Sequence, residues 1–296
     1  MKVKDVMNIP VHIIALDEPI SRARNLMLKH NISRLVVIEK QKPKEDNSKP
    51  SSIIPVGVVT KTDISQRLNQ AEPEWRRRPI DNIPINLVMT SDFITIYPDA
   101  TVSQAAEILL ENNISGLPVV KSESDKSIIG ILTEKDIVGY YSTLDNMISV
   151  KDIMDDFFLV VHKYHTVTHV IREMNSNEID RVIVVDNDHQ PVGIITRTNL
   201  AMNKILDSEG GPTVRDIKIA RKNRIDGERM YRYVKDESIV AEDIMSTPVI
   251  SVSENSRAVE AAKIMFERRI SGLPVVNEKI EGVITARKIL QAVIEQ

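Results

Sequence analysis

Ile114-Ser115-Gly116-Leu117-Pro118-Val119-Val120, followed by Gly130-Ile131-Leu132-Thr133-Glu134-Lys135-Asp136, decides how the rest of the chain reads. Each stretch is a short β-branched run bounded by polar residues, the pattern of a buried strand. The second run passes through Thr133 and Asp136 into the helical pattern Ile137–Tyr141. The pair recurs around Ile32-Ser33-Arg34 and Gly57-Val58-Val59-Thr60-Lys61-Thr62-Asp63, around Ile179-Asp180-Arg181 and Gly193-Ile194-Ile195-Thr196, and around Ile270-Ser271-Gly272 and Gly282-Val283-Ile284-Thr285. Working backwards, each Ile stands 25 residues after a Met (Met7, Met89, Met154, Met245) that closes a short polar stretch. Self-similarity of this kind is the signature of a repeat architecture.

Between Met and Ile lies one helical stripe: Val102, Ala105, Ala106 and Leu109 in the second copy, Val167, Val170, Ile171 and Met174 in the third, and Ala258, Ala261, Ala262 and Met265 in the fourth. This spacing buries one helix face. The first copy reads Ile20, Ala23, Arg24 and Met27, with Arg24 as its departure. Thr101, Thr166 and Ser256 stand where an N-cap belongs, and Pro19 or Asp17 serves that boundary in the first copy. From Ile to Gly the distance is 25, 16, 14 and 12 residues. Elastic spacing there reads as a surface hairpin loop, longest at Lys40–Ser52. Second helices are expected at Ile64–Leu68, Ile137–Tyr141, Leu200–Leu206 and Ile289–Ile294.

The fold class is therefore α/β (α+β), with four tandem repeats of strand-helix-strand-strand-helix. The boundaries read as 1–68, 86–145, 146–206 and 241–296 for the repeats, with a linker at 69–85 and a basic insertion at 207–240. So small a unit is marginal alone, and the expectation is that the first copy pairs with the second and the third with the fourth.

Composition narrows the function. The chain has 296 residues, 42% hydrophobic and 27% charged, with a net charge of −3 and no cysteine. There is no global basic field for nucleic acid, and disulfides, thiolate metal sites and a Cys nucleophile are excluded. No run approaches the roughly 18 apolar residues of a membrane span. Met1–Pro10 lacks the apolar core of a signal peptide, so a soluble, cytoplasmic protein without membrane contact is expected. The six histidines form no ligand set. His165 and His169 are four apart but lack a third partner, and no metal is expected.

The stretches Gly57–Asp63 and Gly130–Asp136, with Ile114–Val120 and Ile270–Val276, resemble the signature motifs of CBS domains, and the similarity covers nearly the whole chain outside the two insertions. The resemblance implies paired repeats, or Bateman modules, each with two clefts, and two modules that can pack as a disk as in the gamma subunit of AMP-activated kinase. It implies AMP, ADP, ATP or S-adenosylmethionine as ligand, with no cofactor required and no catalysis. It also implies a regulatory role toward an effector protein that the sequence does not identify; a homodimer is compatible with it.

Within that frame, Thr60 and Asp63, Thr133 and Asp136, and Thr196 and Asn199 are the candidate ribose-binding pairs. A carboxylate at a strand end can accept hydrogen bonds from a ribose diol. The competing reading is a helix capping box, Thr-x-x-Asp before an apolar run. Asn199 brings no charge, and Lys288 in the fourth copy cannot accept a diol's protons, so ribose binding at the fourth site should fail or weaken. The adenine cleft is expected between Ile32, Ile114 and Ile179 on one wall and His12, Ile94 and Leu159 on the other. Val58, Ile131 and Ile194 line it, and backbone groups near Ser33, Ser115 and Gly116 read the base edge. Arg34 and Arg181, by the resemblance to the kinase subunit, reach phosphates, with Thr62 and Lys135 as further contacts; the second and fourth copies have Gly116 and Gly272 instead.

Two other classes compete. The basic clusters Arg76–Arg78 and Arg215–Lys235, the latter interleaved with Ile217, Ile219, Tyr231 and Tyr233, would suit a nucleic-acid-binding protein, with or without nucleotide control. An enzyme finds no nucleophile–base set or phosphate loop in the sequence.

Overall fold

The computed structural model describes residues 1–39, 53–64, 83–202, 218–223, 229–234 and 239–295. The loop Lys40–Ser52, the cluster Arg76–Arg78 and the helix continuation toward Leu68 therefore lie outside the described residues, as does Leu206. Within the basic insertion two strands are described, β9 (Lys218–Asn223) and β10 (Arg229–Val234), paired antiparallel.

All four repeats are built alike. In the first, β1 (Ile13–Ala15) crosses over through the helix Ile20–Lys29 to the parallel β2 (Arg34–Ile38), and β3 (Pro55–Thr60) returns antiparallel. A parallel pair needs such a crossover, which the helical stripe provides. The third repeat repeats this as β6 (Val160–His162), the helix Val167–Ser176, β7 (Arg181–Val185) and β8 (Pro191–Thr196). In the second, β4 (Gly116–Val120) pairs with β5 (Ile128–Thr133); in the fourth, β11 (Gly272–Val276) pairs with β12 (Ile280–Thr285). The expected first strand shrinks in these two repeats to single parallel bridges, Ile96 to Val119 and Val252 to Val275. The stripes are buried as expected: Val102, Ala105, Ala106 and Leu109 in one helix, Val167, Val170, Ile171 and Met174 in another. Arg24, the odd member of the first stripe, is exposed.

The fixed spacing before each Ile has a local cause. The residue ahead of it (Asn31, Asn113, Glu178 or Arg269) is left-handed, with φ of 51°, 52°, 54° and 58°. This lets the amide of Ile32, Ile114, Ile179 or Ile270 donate back to Met27, Leu109, Met174 or Met265, at 2.9–3.1 Å. Each helix is thereby closed by the same six-to-one hydrogen bond, which aims the chain into the following strand. At the other end, Thr101 and Thr166 accept from Gln104 and His169 and cap their helices. Ser256 does not: the N-cap of Ala258–Arg268 is Arg257, and its side chain makes no capping bond. Pro19 is the N-cap in the first repeat.

The polar stretch that opens each repeat packs on a different repeat. Val3, Val6 and Met7 join the core of the second repeat, and Ile83, Ile85, Val88 and Met89 join that of the first. Val3 and Lys4 donate to the carbonyls of Ala100 and Pro98, while Ile85 and Asn86 donate to those of Glu18 and Leu16. Ile148, Val150, Ile153 and Met154 pack with the fourth repeat's helix, and Ile239, Ala241, Ile244 and Met245 with the third repeat. Each Met covers a glycine in a returning strand: Met89 covers Gly57, Met7 covers Gly130, Met245 covers Gly193 and Met154 covers Gly282. The residue after the Met then bridges the residue after the glycine, in the pairs Thr90–Val58, Asn8–Ile131, Ser246–Ile194 and Asp155–Val283. The glycines recur because a side chain there would occupy the volume of the crossing segment.

Two compact units result, one from 1–68, 72–158 and 250–296, the other from 69–71 and 159–249. In the first, the helix Val102–Glu111 packs on Ala286–Ile294, and Glu134–Tyr141 packs on both Ala258–Arg268 and Ala286–Ile294. Buried Ala258, Ala261 and Ala262 allow these helices to approach closely. The second unit holds its own core around Val161, Val170, Ile171, Val184 and Ile195.

Candidate functional site

The strand–helix corner after each glycine carries the same hydrogen-bonded box. Thr60 donates to Asp63 Oδ2 through its amide (2.8 Å) and its hydroxyl (2.9 Å), and the Asp63 amide donates back to Thr60 Oγ1 (3.2 Å). Thr133 donates to Asp136 Oδ2 through both groups, at 2.8 and 2.6 Å. Thr196 does the same to Asn199 Oδ1, at 2.9 and 2.5 Å. The pairs are capping boxes, each starting a helix. The box draws on Oδ2 of each carboxylate and leaves Oδ1 outside it, and Thr60, Asp63, Thr133 and Asp136 are not fully buried. Capping and recognition of a diol are thus geometrically compatible.

Strand register shows what shares a face with each box. β3 alternates, with Pro55, Gly57 and Val59 buried toward the helix and Val56, Val58 and Thr60 half-exposed. Opposite Val58 stands Val36, and opposite Thr60 stands Arg34. In the second repeat Pro118 is opposite Ile131, and Gly116 is opposite Thr133. Ile194 of the third repeat is half-exposed on the same alternation, opposite Ile183, with Arg181 opposite Thr196.

Arg34 does not stay beside its own box. Its Nη2 donates to Ser115 Oγ at 2.7 Å, and its guanidinium lies over Gly116, where an added Cβ would fall 2.6 Å from Cζ. Burial lowers the Arg34 guanidinium below its usual range, while Glu134, Asp136 and Asp63 oppose that shift. Its Nε is buried without a partner among the described residues. One cation of the first repeat therefore spans the boxes of two repeats.

Several expected residues are placed differently. His12 stacks on His30, the C-cap of Ile20–Lys29, with ring centroids 4.1 Å apart, and Leu159 packs on the core of its repeat. Both lie one position before the first-strand residues in register with the site face, which are Ile13 beside Val36 and Val160 beside Ile183. Ile94 is exposed, and its strand is reduced to the single bridge at Ile96. Ile32 and Ile114 sit partly buried against the cores of their repeats, and Ile179 is half-buried. The carbonyls of Ser33 and Ser115 are taken by the amides of Lys61 (2.9 Å) and Glu134 (3.2 Å), which commits them to the corner. Thr62 is exposed, and Lys135 Nζ lies 5.5 Å from the Phe266 ring centroid of the fourth repeat. Sequence reasoning did not single out Asn8, Thr90, Asp155 and Ser246; their constant place after the repeated Met was the available signal.

The third and fourth corners are modified. Asn199 donates through Nδ2 to Ser246 Oγ at 3.1 Å, and Arg197 bonds Asp180 (2.8 Å) and Asn175 (2.9 Å). In the fourth repeat Thr285 still caps, accepting from the Lys288 amide at 3.3 Å. Lys288 Nζ, at the place of the ribose carboxylate, pairs with Asp155 at 2.8 Å and closes that corner with an ion pair. Among the described residues no group of three or more His, Asp or Glu side chains could hold a metal, and no helix is long and apolar enough to cross a membrane.

Comparison with known proteins agrees with this plan. The sequence model of the CBS domain matches residues 3–70, 85–143, 150–203 and 240–295. The protein MJ1225 of Methanocaldococcus jannaschii is 28% identical over 250 residues, 80% of this chain and 82% of that protein. The crystal structure of MJ1225, proposed as an archaeal homologue of g-AMPK, superposes with a TM-score of 0.69 at 24% identity, covering 99% of each chain. A conserved protein from Pyrococcus horikoshii superposes with a TM-score of 0.61 at 18% identity, over 99% of this chain and 100% of that one. At these identities the two structures speak for the fold.

Proposed function

The chain belongs to the CBS domain family and carries four of its repeats, and from that premise we propose that it is a non-catalytic regulatory protein that binds adenosine ligands. The ligand class is AMP, ADP, ATP or S-adenosylmethionine, held at the Thr60–Asp63 and Thr133–Asp136 corners, and more weakly at Thr196–Asn199.

One observation carries the reading. Two Thr–Asp corners from adjacent repeats flank a single guanidinium. A ribose diol needs a charged acceptor, a purine an apolar wall and a phosphate a cation; the half-exposed Val58 and Ile131 share the strand alternation of Thr60 and Thr133, next to the two carboxylates and Arg34. The crossing segments give a route to a response. Thr90 and Asn8 bridge the strand residues Val58 and Ile131, so a ligand seated there bears on the segment that ties two repeats together. An effector protein would read that change, and a cytoplasmic location suits nucleotide sensing.

Titration calorimetry with AMP, ATP and S-adenosylmethionine tests the proposal. Wild type should bind, and Asp63→Asn with Asp136→Asn, which preserves the capping acceptor, should lose about 1–3 kcal/mol per site. Equal affinity in both proteins would overturn the assignment.

A second reading has its own observation. The β9–β10 hairpin brings Lys218, Arg221, Lys222, Arg229 and Arg232 onto two short strands, with Arg221 opposite Tyr231. Cations interleaved with aromatics suit a nucleic-acid strand. A salt-sensitive gel shift that survives the Asp63 and Asp136 substitutions would favour it.

A further inference from the structure

Arg34 and Gly116 occupy equivalent positions, each opposite the Thr of its own corner. The two are complementary in shape. The guanidinium of one fills the space left by the missing side chain of the other, and a Cβ on Gly116 would sit against Arg34 Nη1 and 2.6 Å from Cζ. Two arginines could not both turn inward here, so this repeat pair holds one guanidinium where its symmetry provides two corners. The guanidinium is not saturated. Nη2 is held by Ser115 Oγ, a neutral partner, while Nε is buried with no partner among the described residues. Asp63 and Asp136, one from each corner, both act on it electrostatically, together with Glu134.

We propose that Arg34 makes the two corners of the first repeat pair compete for phosphate-bearing ligands. This rests on the adenosine-ligand reading above and adds a rule to it. The first phosphate to arrive exchanges the Ser115 contact for a charge-assisted one and draws the guanidinium to its own side. The second corner keeps its carboxylate but loses the guanidinium, so a second phosphate there binds without it. Adenosine, which carries no phosphate, makes no demand on Arg34 and fills both corners independently. The pair therefore counts phosphorylated ligand as one and unphosphorylated ligand as two.

The test is equilibrium dialysis of the full chain with AMP and with adenosine, using wild type, Arg34→Gln and Arg34→Lys, each checked for an unchanged melting transition. Wild type should take up fewer AMP than adenosine at saturation of its tight phase. Arg34→Gln should bind one more AMP than wild type in a single phase, with AMP affinity lowered about tenfold or more and adenosine affinity unchanged. Arg34→Lys, which keeps the charge but not the fork, should retain the shortfall. If wild type binds AMP and adenosine in equal number, or if Arg34→Gln leaves the shortfall in place, the competition is overturned while the adenosine reading stands. If neither ligand binds wild type, the adenosine reading falls and takes this proposal with it.

Discussion

Met154 crosses onto Gly282 so closely that a Cβ added there would lie 2.6 Å from the Asp155 carbonyl oxygen and 3.1 Å from Met154 Sδ. At Gly57 an added Cβ would lie 2.8 Å from Met89 Sδ and 3.0 Å from the Thr90 carbonyl oxygen. A thioether can swing aside; a carbonyl in a two-way backbone bridge cannot do so without breaking it. Gly57→Ala should therefore cost about 1–3 kcal/mol, as small-to-large changes in packed sites do, and Gly282→Ala should cost more. Urea titrations of both variants check the ranking, and equal costs would refute the distinction.

A stabilising change is available at a helix end. Glu178 is left-handed, with φ of 54°, and is exposed, so its Cβ contributes strain without packing. Glu178→Gly should raise stability by about 0.5–1 kcal/mol, visible as a higher melting temperature. Asn113→Gly, at φ of 52°, should gain less, because asparagine tolerates that conformation.

The Thr–Asp corners separate two effects. Asp136→Ala removes the acceptor of both Thr133 hydrogen bonds and should lower stability by about 1 kcal/mol as a lost cap. Asp136→Asn keeps an oxygen for those bonds and should unfold near wild type while still weakening adenosine binding. Thermal melts run beside ligand titrations distinguish them; if both variants bind like wild type, the corner is only a cap.

Lys288 offers the converse case. Its ion pair with Asp155 is partly exposed, with side-chain exposures of 30% and 42%, so Lys288→Ala should cost less than about 1 kcal/mol. It should also leave the number of bound adenosine ligands unchanged, since Thr285 then stands without a ribose acceptor. A gain of one site on this substitution would show that the lysine merely blocks a competent corner.

Two histidines set a pH dependence. Burial lowers His12, with nearby His30 adding to the shift; burial likewise lowers His165, with His169 and His162 adding and Glu173 opposing. A folded-state value below the ordinary 6.5 means that the unfolded chain binds more protons in that range. The contribution is fully present above about 6.5 and is lost as pH falls through the depressed values. Melting temperature should drop from about pH 7.5 to about 5, and His12→Gln with His165→Gln should flatten the slope. An unchanged slope would remove these two groups from the account.

Much of this architecture is legible in one dimension because it is local. The stripe Val102–Leu109, the Thr101 cap and the constant distance from Met to Ile follow from helix period and helix closure, which a sequence displays directly. The crossing of Met7 onto Gly130 is not local, and no period records it. The motif that opens each repeat in sequence belongs to another repeat in space. His12 falls on the other side from its expected wall for a related reason: a three-residue strand has too little alternation to fix its phase, and a one-residue slip exchanges its faces. Arg34 against Gly116 is visible in the sequence as two dissimilar residues at one position. Their complementarity emerges only when both corners are brought together.

The crossing segments also change what counts as a separable piece of this protein. Removing the first eight residues would spare the sheet they precede and expose the floor of the second one, because Val3 and Met7 roof a core that joins Ile96–Tyr141 with the helices of the fourth repeat. A cut between the first two repeats would leave each half missing its lid. Even a piece that keeps both lids of the first two repeats leaves Val102–Glu111 and Glu134–Tyr141 without the fourth repeat's helices, and damage at the amino terminus is felt about a hundred residues downstream.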